Sequence, residues 1–171
     1  LDLKTEDGRK GAQKLASDAD IVVESFRPGV MSRFGLDYDQ VKAMRDDVIY
    51  LSVTGFGQQG PNRDLPVTDS VIQAFSGLMS INRDGEGTPQ RIGMIAIDVM
   101  TGLYAYQAIS SALIARMRYG EGAYIDCSLM QSAAAFQSAK VMEYFMEDGA
   151  PQVLYVPVGT MKTADSYINI T

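Results

Sequence analysis

One carboxylate stands out in the sequence because the residues around it are apolar. Asp98 lies in the segment RIGMIAIDVMTG, where it is flanked by Ile95, Ile97, Val99 and Met100. A lone charge is costly to bury, so this carboxylate must be capped, paired or used. An Asp at the start of an apolar helix usually accepts backbone N–H bonds as an N-cap. The same N–H groups and the helix dipole also favour the ionised carboxylate that a nucleophile needs, so spacing does not decide between the two roles.

The amino-acid composition argues against several other kinds of catalytic and binding site. The chain has no histidine, which excludes Ser/His and Cys/His catalysis and most zinc sites. Its single cysteine, Cys127, has no basic residue within five positions, and we expect a small buried apolar residue rather than a nucleophile. The net charge is −6 and no cluster of basic and aromatic residues occurs, which argues against nucleic acid as a partner.

The sequence also bears on the compartment. The first residues, LDLKTEDGRK, lack the apolar core of a signal peptide, and the single cysteine fits a reducing environment, so we expect a cytoplasmic protein. The uncharged run from Val99 to Ala115 is shorter than the ~20 residues that a bilayer requires. It therefore predicts a buried helix of a soluble protein and no membrane contact.

An alternation of strands and helices must position these residues. In the first third of the chain, the pattern predicts strands at Leu1–Leu3, 20–24 and 48–53, and helices over 6–16, from Pro28, and from an Asp37 cap with Val41 and Met44 inward. The strand at 48–53 is almost continuously apolar, as in buried parallel sheets. Two strand–helix–strand passages predict an α/β fold with a doubly wound sheet.

In the remaining two thirds of the chain, the alternation of strands and helices is first interrupted by a glycine-rich segment. GFGQQG follows a strand and resembles a dinucleotide fingerprint, but Pro61 and Pro66 stand where a helix would have to start, so we interpret residues 55–66 as a glycine-rich connection. The pattern further predicts strands at 123–127 and 166–170, and helices from 68 to 77, from Val99 to Gly120 and over 129–146. The helix from Val99 is apolar, and the helix over 129–146 has Lys140 and Glu143 on a solvated face.

Three separated blocks of the sequence carry a resemblance to a known family. They are VESFRPG followed by Arg33, SVTGFG at the end of a strand, and DVMTG followed by RMRYGEG. In this order they resemble the class III CoA-transferases, a family that also contains formyl-CoA transferase, carnitine-type CoA-transferases and alpha-methylacyl-CoA racemase. The resemblance runs through essentially the whole chain.

The resemblance implies a site for coenzyme A and a nucleophile. It places the catalytic carboxylate on Asp98 and the CoA contacts on five residues: Ser25, Phe26, Val30, Arg33 and Phe34. It implies CoA transfer from an acyl-CoA to a free carboxylic acid through an aspartyl-CoA thioester, with backbone donors at the helix start or in nearby loops stabilising the oxyanions. CoA is then a substrate, and no cofactor or metal is permanently bound. Under this interpretation Asp98 serves both as helix cap and as nucleophile.

The resemblance also implies an organisation. Residues 1–66 would be the Rossmann-like, CoA-binding portion of a large domain, 67–150 its helical part with long buried helices and the catalytic Asp, and 151–171 a linker and first strand towards a small domain. We expect the chain to be a fragment of a longer protein, because it starts and stops within strand patterns. Members of this family form interlocked homodimers, so we expect one here.

Two alternatives remain open at this point. A racemase-like enzyme would pair its Asp with a His that precedes another Asp, whereas this chain has Thr68 before Asp69 and no His. The other alternative is a non-catalytic CoA-binding or interaction fragment in which Asp98 only caps its helix.

Overall fold

The computed structural model describes residues 1–149, 157 and 159–170. Leu1–Phe136 form one compact unit and Gln137–Thr171 a second. The predicted domain boundaries at 66/67 and 150/151 stay predictions. Within the linker and strand predicted at 151–171, residues 151–156, 158 and 171 lie outside the described residues.

A three-stranded parallel sheet organises the first unit. Its spatial order is β1 (Ile21–Glu24), β2 (Ile49–Thr54) and β3 (Ala123–Ser128). The central strand β2 is buried on both faces, which explains its nearly continuous apolar run. The three internal strands that the sequence predicts are therefore confirmed, and so is an α/β fold built on a parallel sheet.

One face of the sheet is covered by α1 (Glu6–Asp18) and α3 (Tyr38–Met44). Asp37 caps α3 as predicted, because its carboxylate accepts a hydrogen bond from the Gln40 N–H while the Gln40 side chain bonds back to the Asp37 N–H. Val41 is fully buried, as expected, but Met44, at the last position of the helix, is exposed.

The opposite face of the sheet is covered by the long helix α6 (Ala96–Tyr119). Ala105 of α6 is buried against Leu51 and Cys127. The remaining helices of this unit are α2 (Val30–Arg33), α4 (Asp69–Phe75), α5 (Leu78–Ile81) and α7 (Leu129–Phe136).

Two predictions in the first third of the chain are wrong. Leu1–Leu3 is not a strand, because the Asp2 carbonyl accepts a hydrogen bond from the Thr5 N–H and forms a turn that leads into α1. The short helix does not start at Pro28 but at Val30, after Gly29 adopts the left-handed conformation with φ of 79°.

The prediction that α6 is a buried helix is also wrong. It ends at the left-handed Gly120 as expected. However, its buried residues lie only in its first half. Five large apolar side chains at helical spacing are exposed, and we call them the exposed stripe: Val99, Leu103, Tyr106, Ile114 and Met117. Apolar composition predicts burial only where something covers the helix, and within this unit the sheet covers one side of it.

The second unit contains α8 (Ser138–Met146) and an antiparallel pair of strands, β4 (Gly159–Lys162) and β5 (Tyr167–Ile170). The strand predicted at 166–170 is confirmed. The single helix predicted over 129–146 is instead two helices, interrupted at Gln137, where no glycine or proline marks the break. Lys140 and Glu143 form an ion pair of 2.5 Å on the surface of α8, as expected of a solvated face.

Candidate active site

The carboxyl ends of all three parallel strands contribute to one cavity of about 830 Å³. Ser25 lines it directly after β1, Thr54 and Gly55 at the end of β2, and Leu129 directly after β3. The segment 63–68 and the first turns of α6 complete its walls. Ligands of open parallel sheets bind outside the carboxyl ends of the strands, so this cavity lies where a substrate site is expected.

Asp98 lies in the first turn of α6 and lines this cavity. The residue is exposed, and its carboxylate has no hydrogen-bond or ion-pair partner among the described residues. Both carboxylate oxygens are therefore free to react with a ligand in the cavity, as nucleophilic or acid–base chemistry requires.

The prediction that Asp98 caps its helix is wrong. α6 begins at Ala96, and Ile95 at the N-cap position provides no side-chain hydrogen bond. The capping carboxylate belongs to Asp69, the first residue of α4. Its Oδ2 accepts hydrogen bonds from the backbone N–H of Ile97 at 2.7 Å and of Asp98 at 3.1 Å. A residue distant in sequence thus satisfies two of the donors that every helix start leaves open.

Gln73 holds this capping carboxylate in place. Its Nε2 donates to Asp69 Oδ1 at 2.5 Å and to the Met94 carbonyl at 3.2 Å, and its Oε1 accepts from the Ile92 N–H at 2.8 Å. Asp69 and Gln73 are both almost completely buried. They connect α4 to the segment that leads into α6, and we call this pair the Asp69–Gln73 clamp.

The environment of Asp98 disfavours its ionised form. Desolvation and, to a lesser degree, the negative charge of Asp69 raise the pKa of Asp98 above its ordinary value. The helix N-terminus was expected to act in the opposite direction, but the N–H groups of Ile97 and Asp98 are bonded to Asp69. A carboxyl group with a perturbed pKa, unpaired in a cleft, is typical of a functional site.

The five residues predicted to contact CoA are divided between two places. Ser25 and Phe26 line the same cavity as Asp98. Val30 and Arg33 are the first and last residues of α2, and Phe34 follows that helix; none of the three lines the cavity. Arg33 is exposed, whereas Phe34 packs against the core beneath α1 and α3.

A row of polar side chains fixes the loops next to Ser25 and Phe26. Buried Glu24 accepts hydrogen bonds from the Phe26 N–H at 2.8 Å and from the Ser52 hydroxyl. The Ser52 oxygen in turn accepts from Gln58 Nε2 at 2.6 Å. This row ties the turn after β1 to the glycine-rich loop after β2. No helix begins within residues 55–66, which confirms that GFGQQG belongs to a connection.

Two arginines of the cavity were missed from the sequence. Arg27 and Arg63 both line it. The Arg27 side chain has no ion pair or hydrogen bond with any described residue, while the Arg63 side chain makes a long contact of 3.4 Å with exposed Asp64. Arg27 lies three residues after the end of the strand predicted at 20–24, so its position near the carboxyl edge could have been expected. Arg63 lies in an irregular connection, whose path no local pattern predicts.

Other candidate chemistry is not supported by the described part of the chain. Cys127 is buried against Leu51 and Ala105, and burial raises the pKa of its thiol, in agreement with a structural role. No group of three His, Cys, Asp or Glu side chains among the described residues is arranged to hold a metal ion. The helices described here also include none with the length and apolar content needed to cross a membrane.

Comparison with known proteins relates this fold and site to one family. Residues 1–171 match CoA-transferase family III along their whole length. The chain is 36% identical to the succinate–glutarate CoA-transferase of Agrobacterium fabrum over 98% of this chain and 43% of that protein. It is 37% identical to the succinyl-CoA:glutarate CoA-transferase of Homo sapiens over 98% of this chain and 40% of that protein.

A solved structure gives the same result for the fold. A CaiB/BaiF family protein from Brucella suis superimposes with a TM-score of 0.89 and 35% identity, over 98% of this chain and 46% of that one. The chain thus spans less than half the length of the relatives it matches. A match over every residue, together with these relatives, shows that the chain belongs to CoA-transferase family III.

Proposed function

We propose that the protein transfers CoA from an acyl-CoA thioester to a free carboxylic acid, with Asp98 as the covalent nucleophile. The observation that carries this proposal is the unpaired Asp98 carboxylate in the cavity at the carboxyl edge of the sheet, next to Ser25 and Phe26. The matched relatives are named as CoA-transferases acting between succinate or succinyl-CoA and glutarate, which supports the reaction class.

The proposed reaction needs no electron transfer and balances within four steps. The Asp98 carboxylate attacks the thioester carbonyl, and the C–S bond breaks to release CoA thiolate and leave a mixed anhydride. The thiolate then attacks the carbonyl carbon of Asp98, which frees the donor acid and leaves an aspartyl-CoA thioester. The acceptor carboxylate attacks this thioester, and the C–S bond breaks to release CoA thiolate and leave a second anhydride. The thiolate then attacks the carbonyl carbon of the acceptor, which forms the product thioester and regenerates the Asp98 carboxylate.

The hydrogen bonds at the start of α6 bear on which groups can stabilise the oxyanions of this reaction. The N–H groups of Ile97 and Asp98 are bonded to Asp69, and that of Val99 to the Ile95 carbonyl. The start of α6 therefore offers none of these donors to an oxyanion. We assign that role to loop groups, where a single well-placed donor is typically worth ~3 kcal/mol.

We propose that CoA extends from the cavity along α2. Ser25 and Phe26 would contact the part of CoA nearest to Asp98, and Val30, Arg33 and Phe34 a more distant part. Arg33 is exposed and has no ion-pair partner among the described residues, so its guanidinium is free for a phosphate. In this proposal the sheet belongs to a doubly wound, Rossmann-like large domain, and CoA is a substrate rather than a resident cofactor.

We propose dicarboxylic acids as the acceptor class. The matched relatives are named for succinate and glutarate. The cavity also contains Arg27 and Arg63, either of which offers a cation for the carboxylate that does not react. A comparison of dicarboxylic acids with monocarboxylic acids of equal length, at fixed acyl-CoA donor, tests this preference.

The two alternatives receive less support. Racemisation requires two opposed acid–base groups, and this chain has Thr68 in place of the racemase His. A fragment that only binds CoA would use Asp98 as a cap, but Asp69 performs that role.

We further propose a cytoplasmic homodimer. The exposed stripe of α6 supports the dimer, because five large apolar side chains in one row favour contact with another surface. The cytoplasmic location rests on the single cysteine.

Replacement of Asp98 tests the proposed function. In the full-length protein, Asp98→Asn should fold normally and lose transferase activity, because an amide cannot form the anhydride. Asp46→Asn is the matched control, since Asp46 is likewise exposed and without a partner among the described residues but does not line the cavity. Activity retained in Asp98→Asn would overturn the proposal.

A further inference from the structure

We infer that Asp69, held by Gln73, is a positioning residue that sets the place and orientation of Asp98. The inference rests on the proposed function, in which Asp98 is the nucleophile. It assigns to the Asp69–Gln73 clamp a role in catalysis that does not involve contact with substrate.

The geometry of the clamp supports this role. Asp69 bonds to the backbone N–H of the reactive residue itself and to that of Ile97. Ile97 is in turn fixed from two other directions, because its side chain is fully buried beside Ile72 and its carbonyl accepts the Thr101 hydroxyl at 2.7 Å. The backbone at Asp98 therefore has one set of constraints from the core and one from Asp69.

Gln73 links the capping carboxylate of Asp69 to the residues that precede α6. Its amide joins Asp69 to the Met94 carbonyl and to the Ile92 N–H, so the capping carboxylate and the approach to α6 are held by one side chain. Without Asp69, two N–H groups at the start of α6 and one Gln73 N–H lose their acceptor. Even a small displacement of a reacting group can reduce a rate by ~100-fold.

The clamp also places a negative charge beside Asp98. Asp69 is the charged group of α4 nearest to this turn, and the cavity adds Arg27 and Arg63 as cations and Asp64 as a further anion. Of these charged groups, Asp69 is the one that acts on Asp98, and its negative charge opposes ionisation of the Asp98 carboxyl group. Removal of the Asp69 charge should therefore lower the pH at which Asp98 ionises.

Two substitutions separate position from charge. Asp69→Asn keeps an oxygen that can accept from the helix N–H groups but removes the charge. It also loses the bond from Gln73 Nε2, which retains the Met94 carbonyl as its acceptor. We expect kcat within a few-fold of wild type and an acidic limb of kcat/KM that moves to lower pH, since this limb reports the free enzyme. Asp69→Ala removes the acceptor as well, and we expect kcat to fall by ~10- to 100-fold.

A matched control is available in Asp37. It also caps a helix and also pairs with a Gln, but it lies on the other face of the sheet. Asp37→Asn should leave kcat and the acidic limb unchanged, because Asn caps a helix about as well as Asp.

The outcomes distinguish this inference from the proposed function. Activity in Asp98→Asn would overturn the function and the inference together. If Asp98→Asn is inactive but Asp69→Asn has the wild-type pH profile, or Asp69→Ala has the wild-type kcat, the inference alone is wrong. If Asp69→Ala does not fold, the pH profile of Asp69→Asn decides, since a purely structural cap would not move it.

Discussion

At the scale of single residues, the unusual feature of Asp98 is that nothing in the described chain neutralises it. Its carboxylate has no partner among the described residues, and partial desolvation and the charge of Asp69 both raise its pKa. A group held in an unfavourable ionised state lowers the stability of the folded protein and is common at functional sites. The sequence indicates that Asp98 is important, because a lone charge in an apolar segment needs a reason. It does not show that the cap comes from Asp69.

Asp98→Asn should therefore not reduce stability at neutral pH. The folded-state pKa of Asp98 is raised, so its protonated form is favoured in the folded protein and its ionised form is disfavoured. Wild type and variant should have equal stability below the unfolded-state pKa, and the variant should become the more stable one as the pH rises through the folded-state pKa. Urea denaturation at pH 3 and pH 7, below and above the ordinary Asp pKa of 3.8, measures this difference. A variant that is less stable at pH 7 would contradict it.

At the scale of secondary-structure elements, α6 shows what local patterns predict and what they miss. Its apolar run and Gly120 predict the helix and its end, because these signals are local. Its start was misplaced by about three residues, since the cap is supplied by Asp69 from a different helix. The break at Gln137 was missed for a related reason, because no local residue type requires it.

Ion pairs between arginine and aspartate side chains hold the C-terminal end of α6 against the amino-terminal edge of the sheet. Arg116 donates to the carbonyls of Asp20 and Asp47 and pairs with both of their carboxylates, and Arg45 binds the same two carboxylates. Arg116→Met should lower the free energy of unfolding by ~1–3 kcal/mol, as expected when hydrogen bonds to a charged group are lost. Arg118→Met is the control.

Arg118 lies two residues further on, is exposed and has no partner among the described residues. Its replacement should change the free energy of unfolding by less than ~0.5 kcal/mol. Equal urea midpoints for Arg116→Met and Arg118→Met would show that the ion pairs of Arg116 do not hold α6 against the sheet.

Gly102 lowers the stability of α6 but leaves space in the cavity. It lies one turn after Asp98, lines the cavity, and a Cβ built there would meet no atom within 4 Å. Gly102→Ala should raise the free energy of unfolding by up to ~1 kcal/mol, because Ala is the better helix former. The added methyl group should also raise KM for acyl-CoA several-fold. Ser111→Ala, on the exposed surface of the same helix, should leave KM unchanged; an unchanged KM in both variants would reject the assignment of this space to substrate.

At the scale of the whole molecule, the sequence predicts the sheet well and the burial of α6 poorly. The central strand β2 is recognisable because its apolar run is buried within the chain itself. The exposed stripe is equally apolar, but no described element of the first unit covers it. Composition shows that such a surface needs a partner and does not show which partner.

We predict that the full-length protein is a homodimer whose interface includes the exposed stripe. Met117 is 86% exposed, and Met117→Glu should weaken the dimer because it places a charge in an apolar contact. Leu15→Glu is the control, since Leu15 is 65% exposed but lies on α1. Light scattering at micromolar concentration measures the mass. A monomeric wild type, or equal dissociation of both variants, would contradict the prediction.

The most direct test of the central claim is to locate the covalent intermediate. Full-length protein is incubated with an acyl-CoA and quenched, and its peptides are mapped by mass spectrometry. We predict CoA or a hydroxylamine-sensitive adduct on the peptide that contains Asp98, and none in Asp98→Asn. An adduct on Cys127 or Asp69, or unchanged adduct formation in Asp98→Asn, would show that Asp98 is not the nucleophile.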